Sequence, residues 1–413
     1  MTLSEELTAR GFVYQFSAPT LAEILDGPKR TIYHGIDPSA DSAHAGNFVV
    51  WLLLRHLHNN GHKVIFLVGG GTGMIGDPKP DAERELKSEQ LVDHNVDKIK
   101  TQAEHFIGQG SNITFVNNKD WLCSIPLVEF LRDIGKHFTV NELIKKDAIA
   151  KRLSGDTGIS YTEFAYPLLQ GYDYLVLHRT YGCDVQIGGS DQWGNIIAGV
   201  DLIRRKEQAV TYALTTPLII DKATGKKFGK SEGNAVWLDP QKTSPYAFYQ
   251  FWLNVSDVNV GDYLKLFTFL SLEAIEKVLQ DHTESPDKRI AQQTLAEAVT
   301  TLVHGEEQTK AVQMVTDTLF NGGDISTLSD LGRSILLLNA PTYNIEQSSS
   351  IIDVLVGSGL AASNREAREF VGNGAVTLKG QKVIDPQETI TIAPGDLVTL
   401  KRGKKQFVVL VGV

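Results

Sequence analysis

Residues 31–69 read TIYHGIDPSADSAHAGNFVVWLLLRHLHNNGHKVIFLVG, and this stretch decides the fold. An apolar run from Thr31 to Gly35 leads into a turn rich in Asp, Pro and Ser. A long helical pattern then begins near His44, and a second apolar run starts at Lys63. Short apolar runs that alternate with longer helical patterns are typical of a parallel sheet covered by helices. The stretch therefore predicts an α/β domain.

The same alternation continues to about residue 220, with further strand-like runs NITFV from Asn112 and DVQIGG from Asp184. We predict a Rossmann-like, doubly wound parallel-sheet catalytic domain over 1–220. Later, apolar residues recur at three-to-four spacing, as in DKRIAQQTLAEAVTTLV, which predicts a helical domain within 221–325. A segment rich in Asn, Gly and Ser follows, so 326–350 is predicted to be a linker, and 351–413 a small α+β domain.

The composition excludes several classes of protein. With 42% hydrophobic and 22% charged residues, the chain is neither disordered nor fibrous. No apolar run approaches the roughly 20 residues that span a bilayer, and the first residues, MTLSEELTARGF, do not resemble a leader, which predicts a cytoplasmic protein without membrane association. Cys123 and Cys183 are isolated and lack metal-ligand spacing, so we predict neither a disulfide nor a metal site.

Charge is unevenly distributed along the chain. The net charge of -9 argues against non-specific coating of nucleic acid. From residue 351 onward, however, eight Lys or Arg stand against six Asp or Glu, and four of the basic residues are Lys401, Arg402, Lys404 and Lys405. Such a cluster can meet phosphates, although a solvated surface would have the same composition.

The turn before the first long helix is a candidate phosphate site. The order of strand, turn and helix places Gly46 at the carboxyl edge of the sheet, where ligands bind in open α/β folds. A glycine there lets a nucleotide approach the backbone, and the helix N-terminus favours phosphate. His44 and Asn47 lie three positions apart and can donate hydrogen bonds to a phosphoryl group that gains charge. The same residues also fit an ordinary polar helix start.

A glycine-rich segment suggests a different class of protein. In GGGTGMIGDP, Gly71, Gly73 and Gly76 satisfy the G-x-G-x-x-G dinucleotide pattern of oxidoreductases. Pro78 and Pro80 follow at once, however, and no second strand ending in an acidic residue comes about 20 positions later. We therefore interpret the glycines as a loop that brings backbone near a small substrate, with Asp77 available to pair with an amine.

A second candidate phosphate site is the segment LIIDKATGKKFGKSEGN, residues 218–234. Lys226, Lys227 and Lys230 lie in a glycine-interrupted loop with Ser231, where ammonium groups can stabilise the charge on a departing polyphosphate. The segment lacks the Walker pattern, and lysine-rich loops are often solvated turns.

Together, the HAGN of residues 44–47 and the late KFGKS resemble the HIGH and KMSKS motifs of class I aminoacyl-tRNA synthetases, with departures at Ala45 and Asn47. The resemblance implies activation of an amino acid by ATP, with release of pyrophosphate, and transfer to tRNA. It implies catalytic roles for His44, Asn47, Lys227, Lys230 and Ser231. It also implies ATP contacts from His44, Asn47, Lys227 and Lys230. Further ATP contacts are implied for Gly35, Asp37, Ser39, Gly46, Gly189 and Asp191.

The segment YTEFAYPLLQGYDYLVLHRTYGCDVQIGGSDQWGN, residues 161–195, resembles the tyrosyl members of that class. Tyr166, Gln170 and Asp173 fall at i, i+4 and i+7, so they share one helix face, as they also would in an ordinary amphipathic helix. The resemblance assigns Tyr33 and Asp173 to the substrate phenol. It assigns the ammonium group of the substrate to Tyr166, Gln170 and Asp77, and its carboxylate to Gln192.

Two rival interpretations remain open at this point. A tryptophanyl enzyme would require a different polar set in place of Tyr33 and Asp173. A non-catalytic RNA-binding protein on the same fold would account for Asn47, although the lysine loop argues against it.

The last domain contains GSGLAASNREAREFVGNGAVTLKGQKV, residues 357–383, which resembles the alpha-L type RNA-binding motif but also fits a generic α+β domain. The resemblance implies phosphate contacts from Arg365, Arg368, Lys404 and Lys405. It further implies L-tyrosine, ATP and tRNA(Tyr) as partners, anticodon recognition by the helical domain, and a homodimer. Mg²⁺ is expected with ATP, and no tightly bound cofactor is expected.

Overall fold

The computed structural model describes residues 1–79, 82–108, 110–155, 158–226, 228, 230–231, 234–321, 323–346, 348–403 and 406–413. The chain divides into two compact units. The first contains Met1–Thr243 and Asn254–Leu295, and the second contains Ser244–Leu253 and Ala296–Val413.

The first unit is built on a six-stranded sheet, which confirms the predicted α/β fold. Its strands are β1 Gln15–Phe16, β2 Thr31–Ile36, β3 Lys63–Val68, β4 Ile113–Asn117, β5 Cys183–Gly189 and β6 Tyr212–Thr216. They lie in the order β1-β6-β5-β2-β3-β4, and all neighbouring pairs are parallel except β1 with β6. The strand order reverses between β2 and β5, so a ligand crevice is expected at their carboxyl ends.

Helices connect these strands. Over residues 1–243 they are α1 Leu3–Arg10, α2 Leu21–Leu25, α3 Ala45–Asn59, α4 Glu89–Ile107, α5 Lys119–Leu122, α6 Leu127–Asp133, α7 Val140–Leu143, α8 Asp147–Ser154, α9 Tyr161–Phe164, α10 Tyr166–Tyr181 and α11 Trp193–Glu207. Strand β3 is buried at every position after Lys63, which is the pattern of a parallel strand covered on both faces. A short hairpin, β7 Lys230–Ser231 and β8 Asn234–Ala235, follows β6.

Residues 245–339 are mainly helical, although helices were predicted from periodicity only within 221–325. The helices are α12 Pro245–Leu253, α13 Asp257–Phe267, α14 Leu272–Glu284, α15 Ile290–His304, α16 Glu306–Thr316, a π-helical turn Asp317–Asn321 and α17 Asp330–Asn339. Helices α13 and α14 belong to the first unit, whereas α12, α16 and α17 belong to the second. The compact units therefore do not follow the predicted boundaries at 220 and 325.

The chain ends in a small α+β domain. Its elements are β9 Thr342–Ile345, β10 Ser349–Ser350, α18 Ile351–Gly357, α19 Asn364–Gly372, β11 Val376–Leu378, β12 Gln381–Val383, β13 Thr389–Ile390, β14 Leu397–Arg402 and β15 Gln406–Gly412. Five strands form a sheet in the order β12-β11-β14-β15-β9. Buried aliphatic side chains from α18, α19 and the strands form one core cluster.

The predicted linker over 326–350 is wrong. This segment contains helix α17 and strand β9, and β9 pairs in parallel with β15, so that Thr342 lies opposite Val409. The polar composition suggested a connector, but Ser329 caps α17 by accepting a hydrogen bond from the Gly332 N–H. The pairing of β9 with the last strand is non-local, and no local pattern encodes it.

Candidate active site

One cavity of about 350 Å³ opens at the carboxyl edge of the sheet, at the ends of β2, β3 and β5. It brings together most of the residues predicted from the sequence: Tyr33, Gly35, Asp37, Ser39, His44, Gly46, Asn47, Asp77, Tyr166, Gln170, Asp173, Gly189, Asp191 and Gln192. Lys227 lies outside the described residues, and for Lys230 and Ser231 the structure gives the backbone in β7.

One part of the cavity is lined by Tyr33 and Asp173, which are 1% and 3% exposed. The carboxylate of Asp173 accepts hydrogen bonds from Asn118 Nδ2 at 2.9 Å and from Trp121 Nε1 at 2.7 Å. The Tyr33 hydroxyl is buried without a hydrogen-bond partner among the described residues. A buried hydroxyl without a partner is costly, so this part of the cavity is suited to a ligand that supplies a polar atom.

Burial dominates the electrostatics of this pair. It raises the pKa of Asp173 to about 7, against the hydrogen bonds from Asn118 and Trp121 that lower it. Burial, together with the charge of Asp173, also raises the pKa of Tyr33 well above its ordinary value. Tyr33 is therefore a neutral hydroxyl, and Asp173 changes its charge near neutral pH.

A second acidic group, Asp77, also lines the cavity. The two oxygens of Asp77 accept hydrogen bonds from Asn195 Nδ2 at 3.0 Å and Gln192 Nε2 at 2.8 Å. Burial raises the pKa of Asp77 to about 6. The Gln170 Oε1 atom, which also lines the cavity, is buried without a partner among the described residues.

Asp37 forms a tight network with two hydroxyls. Its oxygens accept from Tyr166 Oη at 2.8 Å and from Thr72 Oγ1 at 2.6 Å. Among the described residues, no Lys or Arg forms an ion pair with Asp37, Asp77 or Asp173. Arg84 and Lys87 act on these groups only at longer range, so three buried carboxyl groups without an ion pair favour a ligand that carries a positive charge.

The start of α3 explains the arrangement of the HAGN segment. His44 is the N-cap: its Nδ1 accepts a hydrogen bond from the Gly46 N–H at 3.1 Å, and its own N–H donates to Asn47 Oδ1 at 3.2 Å. Since Nδ1 is an acceptor, the imidazole proton resides on Nε2. A Cβ atom at Gly46 would lie 2.9 Å from His44 Cε1, so glycine is required for this contact. Asn47 thus has a structural role in which its Oδ1 accepts and its amide nitrogen remains a donor.

Phe228 fixes the segment that carries the lysines. Its side chain is 5% exposed, and its ring packs against Tyr263 and Phe267 of α13, with centroids 4.8 and 5.1 Å away. Asn259, also on α13, accepts a hydrogen bond from the Lys222 N–H at 3.0 Å and donates to Asp221 Oδ1 at 3.0 Å. Helix α13 therefore contacts this segment at two places, at Asp221 and Lys222 and again at Phe228.

Sequence reasoning missed several residues of this site. Asn118 and Trp121 follow the carboxyl end of β4, so the rule that ligands bind at such strand ends could have indicated them. Arg84 and Lys87 line the cavity from the segment after the glycine run, and the Lys87 ammonium donates to the Ser39 carbonyl. No sequence pattern indicated these two cations.

The dinucleotide interpretation does not agree with the structure. After β3 the glycine run forms a 3₁₀ turn, Thr72–Met74, and the next helix, α4, begins only at Glu89. In the described part of the chain, no group of three or more His, Cys, Asp or Glu side chains is arranged to hold a metal ion. Within the same residues, no helix has the length and apolar character needed to cross a membrane.

Residues 26–321 match the family described as tRNA synthetases class I (W and Y), and residues 334–410 match the tyrosine–tRNA ligase SYY-like C-terminal domain. The chain therefore belongs to the class I tRNA synthetases of the tryptophan and tyrosine group. This family uses ATP as a substrate.

Within that family, the chain is similar over its whole length to tyrosine enzymes. The chain is 47% identical to the tyrosine–tRNA ligase of Streptococcus uberis and 46% identical to that of Streptococcus pneumoniae, in each case over 99% of this chain and 100% of the relative. Among solved structures, a C-terminally truncated mitochondrial tyrosyl-tRNA synthetase from Aspergillus nidulans superposes with a TM-score of 0.70 at 30% identity, covering 77% of this chain and 94% of that one.

Proposed function

We propose that this enzyme activates L-tyrosine with ATP, forming tyrosyl-adenylate and pyrophosphate, and then transfers tyrosine to the 3′-terminal ribose of tRNA(Tyr). The observation that carries the proposal is that Tyr33 and Asp173, which both line the cavity, are buried. A phenol hydroxyl placed there would donate to the Asp173 carboxylate and accept from the Tyr33 hydroxyl, which satisfies both groups.

The part of the cavity around Asp77 suits the amino group of the same ligand. An ammonium group has three donors, and Asp77, Gln170 Oε1 and the Tyr166 hydroxyl oxygen are three acceptors that line the cavity. Gln192, which holds Asp77, then lies beside the substrate carboxylate. One elongated ligand with a phenol at one end and an α-amino acid at the other therefore uses both polar parts of the site.

The chemical step needs charge stabilisation at the phosphates. A carboxylate oxygen of tyrosine attacks the α-phosphorus of ATP, the bond from that phosphorus to the β-phosphate oxygen breaks, and pyrophosphate leaves with its charge. The His44 Nε2–H and the Asn47 amide donate to the phosphoryl oxygens, and Lys227, Lys230, Ser231, Arg84 and Lys87 supply donors and positive charge for the pyrophosphate.

The remaining nucleotide contacts are assigned to the other cavity residues. Gly35, Gly46 and Gly189 admit the nucleotide close to the backbone, and Asp191 faces the ribose. Asp37 and Ser39 are assigned to the ribose and the leaving phosphates, as predicted from the sequence. Asp37 also accepts the hydrogen bond of the Tyr166 hydroxyl. Mg²⁺ enters with ATP as part of the nucleotide substrate, and the enzyme needs no tightly bound cofactor.

The test is amino-acid-dependent exchange of labelled pyrophosphate into ATP by the full chain, followed by charging of tRNA. We expect exchange with tyrosine and none with tryptophan or phenylalanine. Exchange with tryptophan alone would overturn the choice of amino acid. Absence of exchange with any amino acid would favour an RNA-binding protein that keeps the synthetase fold.

We expect tyrosine binding to weaken below about pH 7. Asp173 and Asp77, with pKa values raised by burial to about 7 and about 6, must both be ionised to hold the ligand. In the free enzyme, log kcat/KM for tyrosine should be level above about pH 7, fall with a slope of about one below it and fall more steeply below about pH 6. An unchanged kcat/KM down to about pH 5 would contradict the assignment of these two carboxylates.

The same pKa values fix the direction in which folding stability changes with pH. Each folded-state pKa lies above the ordinary value of 3.8, so the folded protein holds protons that the unfolded chain releases. The contribution of these groups is therefore most favourable below pH 3.8 and is lost as pH rises through about 6 and about 7. Bound tyrosine should offset this loss, which a comparison of thermal unfolding with and without tyrosine can measure.

We propose that the enzyme is a homodimer that uses the region of α6 and α7. Large apolar side chains are exposed there: Leu127, Val128, Leu131, Val140 and Ile144, with Val128 at 77%. Large apolar side chains that are exposed in neighbouring segments favour a protein interface. We expect Val128→Glu to shift the protein to monomers in sedimentation velocity. Val210→Glu, at a position 72% exposed elsewhere in the unit, should leave the dimer intact. Dimers in both variants would contradict this interface.

The C-terminal domain is proposed to contact tRNA phosphates through α19. Arg365 and Arg368 are exposed on this helix, whereas Arg402 packs over the Phe370 ring at 4.6 Å and donates to the Leu360 carbonyl. The basic cluster around the β14–β15 turn therefore includes a residue used for packing. Lys404 and Lys405 keep their predicted RNA role but lie outside the described residues.

We expect the double variant Arg365→Ala/Arg368→Ala to bind tRNA more weakly and with a smaller salt dependence. Each lost phosphate contact should lower the slope of log Kd against log salt by about one. Pyrophosphate exchange should be unchanged, since both residues lie outside the cavity. Unaltered tRNA affinity at two salt concentrations would refute the role of α19.

The cytoplasmic location stays a prediction of the sequence.

A further inference from the structure

The segment 75–88 carries Asp77, Arg84 and Lys87, all of which line the cavity. It runs from the 3₁₀ turn at Thr72–Met74 to the start of α4, and its described residues form neither helix nor strand. Such a segment has no ladder of backbone hydrogen bonds to set its path. Other contacts must therefore place its cations.

A buried ion pair lies directly behind this segment. Arg152 Nη1 and Glu163 Oε2 are 2.8 Å apart, and the two side chains are 1% and 2% exposed. Desolvation of two charges costs several kcal/mol, and a well-packed apolar pair is often equally stable. Stability alone is therefore a weak reason for this pair.

The pair holds the segment at two points. The second carboxylate oxygen of Glu163 accepts the Arg84 N–H at 2.7 Å. The Arg152 guanidinium donates to the Lys79 carbonyl at 3.4 Å, and to the Gly158 carbonyl at 2.8 Å. Glu163 is itself fixed in the first turn of α9, whose N-cap Ser160 accepts the Glu163 N–H.

Arg84 in turn contacts the backbone of Asp77, which lines the cavity. The Arg84 Nε donates to the Asp77 carbonyl at 2.7 Å, and a Cβ atom at Gly76 would lie 3.0 Å from Arg84 Cγ. Arg84 thus folds across the backbone of Gly76 and Asp77. The Asp77 carboxylate, in contrast, is held separately by Asn195 and Gln192.

We propose that Arg152 and Glu163 are positioning residues, which touch no substrate but hold the backbone at Lys79 and at Arg84 so that Arg84 and Lys87 face the ATP phosphates. This inference rests on the proposed function. The two halves of the substrate site are held by different contacts, so loss of the pair should affect ATP and pyrophosphate while tyrosine binding persists.

Two double variants separate positioning from stability. Arg152→Met/Glu163→Leu removes the ion pair and the acceptor for the Arg84 N–H. Arg152→Met/Glu163→Gln removes the ion pair but keeps a carbonyl oxygen in place of that acceptor. We expect the first variant to lose about tenfold or more in kcat/KM for ATP and for pyrophosphate, with the Kd for tyrosine unchanged. The second variant still lacks the Arg152 contact to the Lys79 carbonyl, so we expect it to recover only the part of that loss that comes from the Arg84 N–H acceptor.

Arg30 and Asp184 provide the matched control. They form a partly buried pair in the same unit, with Nη1 and Oδ2 2.6 Å apart, and neither lines the cavity. Arg30→Met/Asp184→Leu should lower the unfolding temperature without changing kcat/KM for ATP. Equal ATP kinetics in both Arg152/Glu163 variants and the wild type would overturn the positioning role. Absence of tyrosine-dependent exchange in the wild type would instead overturn the proposed function.

Discussion

Replacing Asp173 by Asn should lower kcat/KM for tyrosine activation by roughly 30- to 150-fold, since a hydrogen bond to a charged acceptor contributes about 2–3 kcal/mol. The carboxylate is buried and lines the cavity, as does Tyr33, whose buried hydroxyl has no partner among the described residues. Asparagine keeps the shape but removes the charge that accepts the substrate phenol. The ratio of kcat/KM for tyrosine to that for phenylalanine should fall as well, because phenylalanine loses no hydrogen bond.

Asp173→Asn should lower the free energy of unfolding by less than it raises the activation free energy of tyrosine activation. Asn118 and Trp121 each donate to one carboxylate oxygen, and an amide can accept from only one of them. The lost hydrogen bond costs about 1–3 kcal/mol, but removal of a poorly solvated charge offsets part of it. Thermal unfolding should therefore show a folded variant. Turnover at the wild-type rate would remove Asp173 from tyrosine recognition.

The second large effect is expected at His44. Loss of one preorganised donor to a phosphoryl group should lower the rate constant for adenylate formation by about 10²–10³-fold in His44→Ala, with the Kd for tyrosine unchanged. Single-turnover measurement of adenylate formation gives this rate directly. Since His44 also caps α3, the same substitution should reduce the free energy of unfolding by about 0.5–2 kcal/mol.

His44→Asn separates the two roles of this residue. Asparagine is a good N-cap and can accept the Gly46 N–H with its Oδ1, but its Nδ2–H donors lie closer to the backbone than the Nε2–H of His44 and do not reach the same position. We expect Asn to restore stability while the rate stays low. Recovery of the rate together with stability would mean that His44 acts only by capping the helix.

Much of this architecture could be predicted from local patterns. The apolar runs at Thr31, Lys63 and Asn112 became neighbouring parallel strands, and the helix predicted near His44 begins at Ala45. The helix face of Tyr166, Gln170 and Asp173 was predicted from spacing alone, and all three residues line the cavity. These features depend on continuous apolar runs and on a repeat of about 3.6 residues, which a sequence displays directly.

Other features depend on contacts between residues far apart in the chain. Asn118 and Trp121 bind Asp173 across more than 50 positions, Glu163 holds the backbone of Arg84, and β9 completes the sheet of the last domain. The raised pKa values of Asp77 and Asp173 likewise result from burial, which is a property of the folded chain.

The sequence by itself determined the parallel sheet, the helix starts and the types of residue at its carboxyl edge, because periodicity and capping are local. Only the tertiary structure decided which side chains hold the two ends of the substrate and where Arg84 and Lys87 lie. Those choices depend on packing and desolvation, which arise only when distant segments meet.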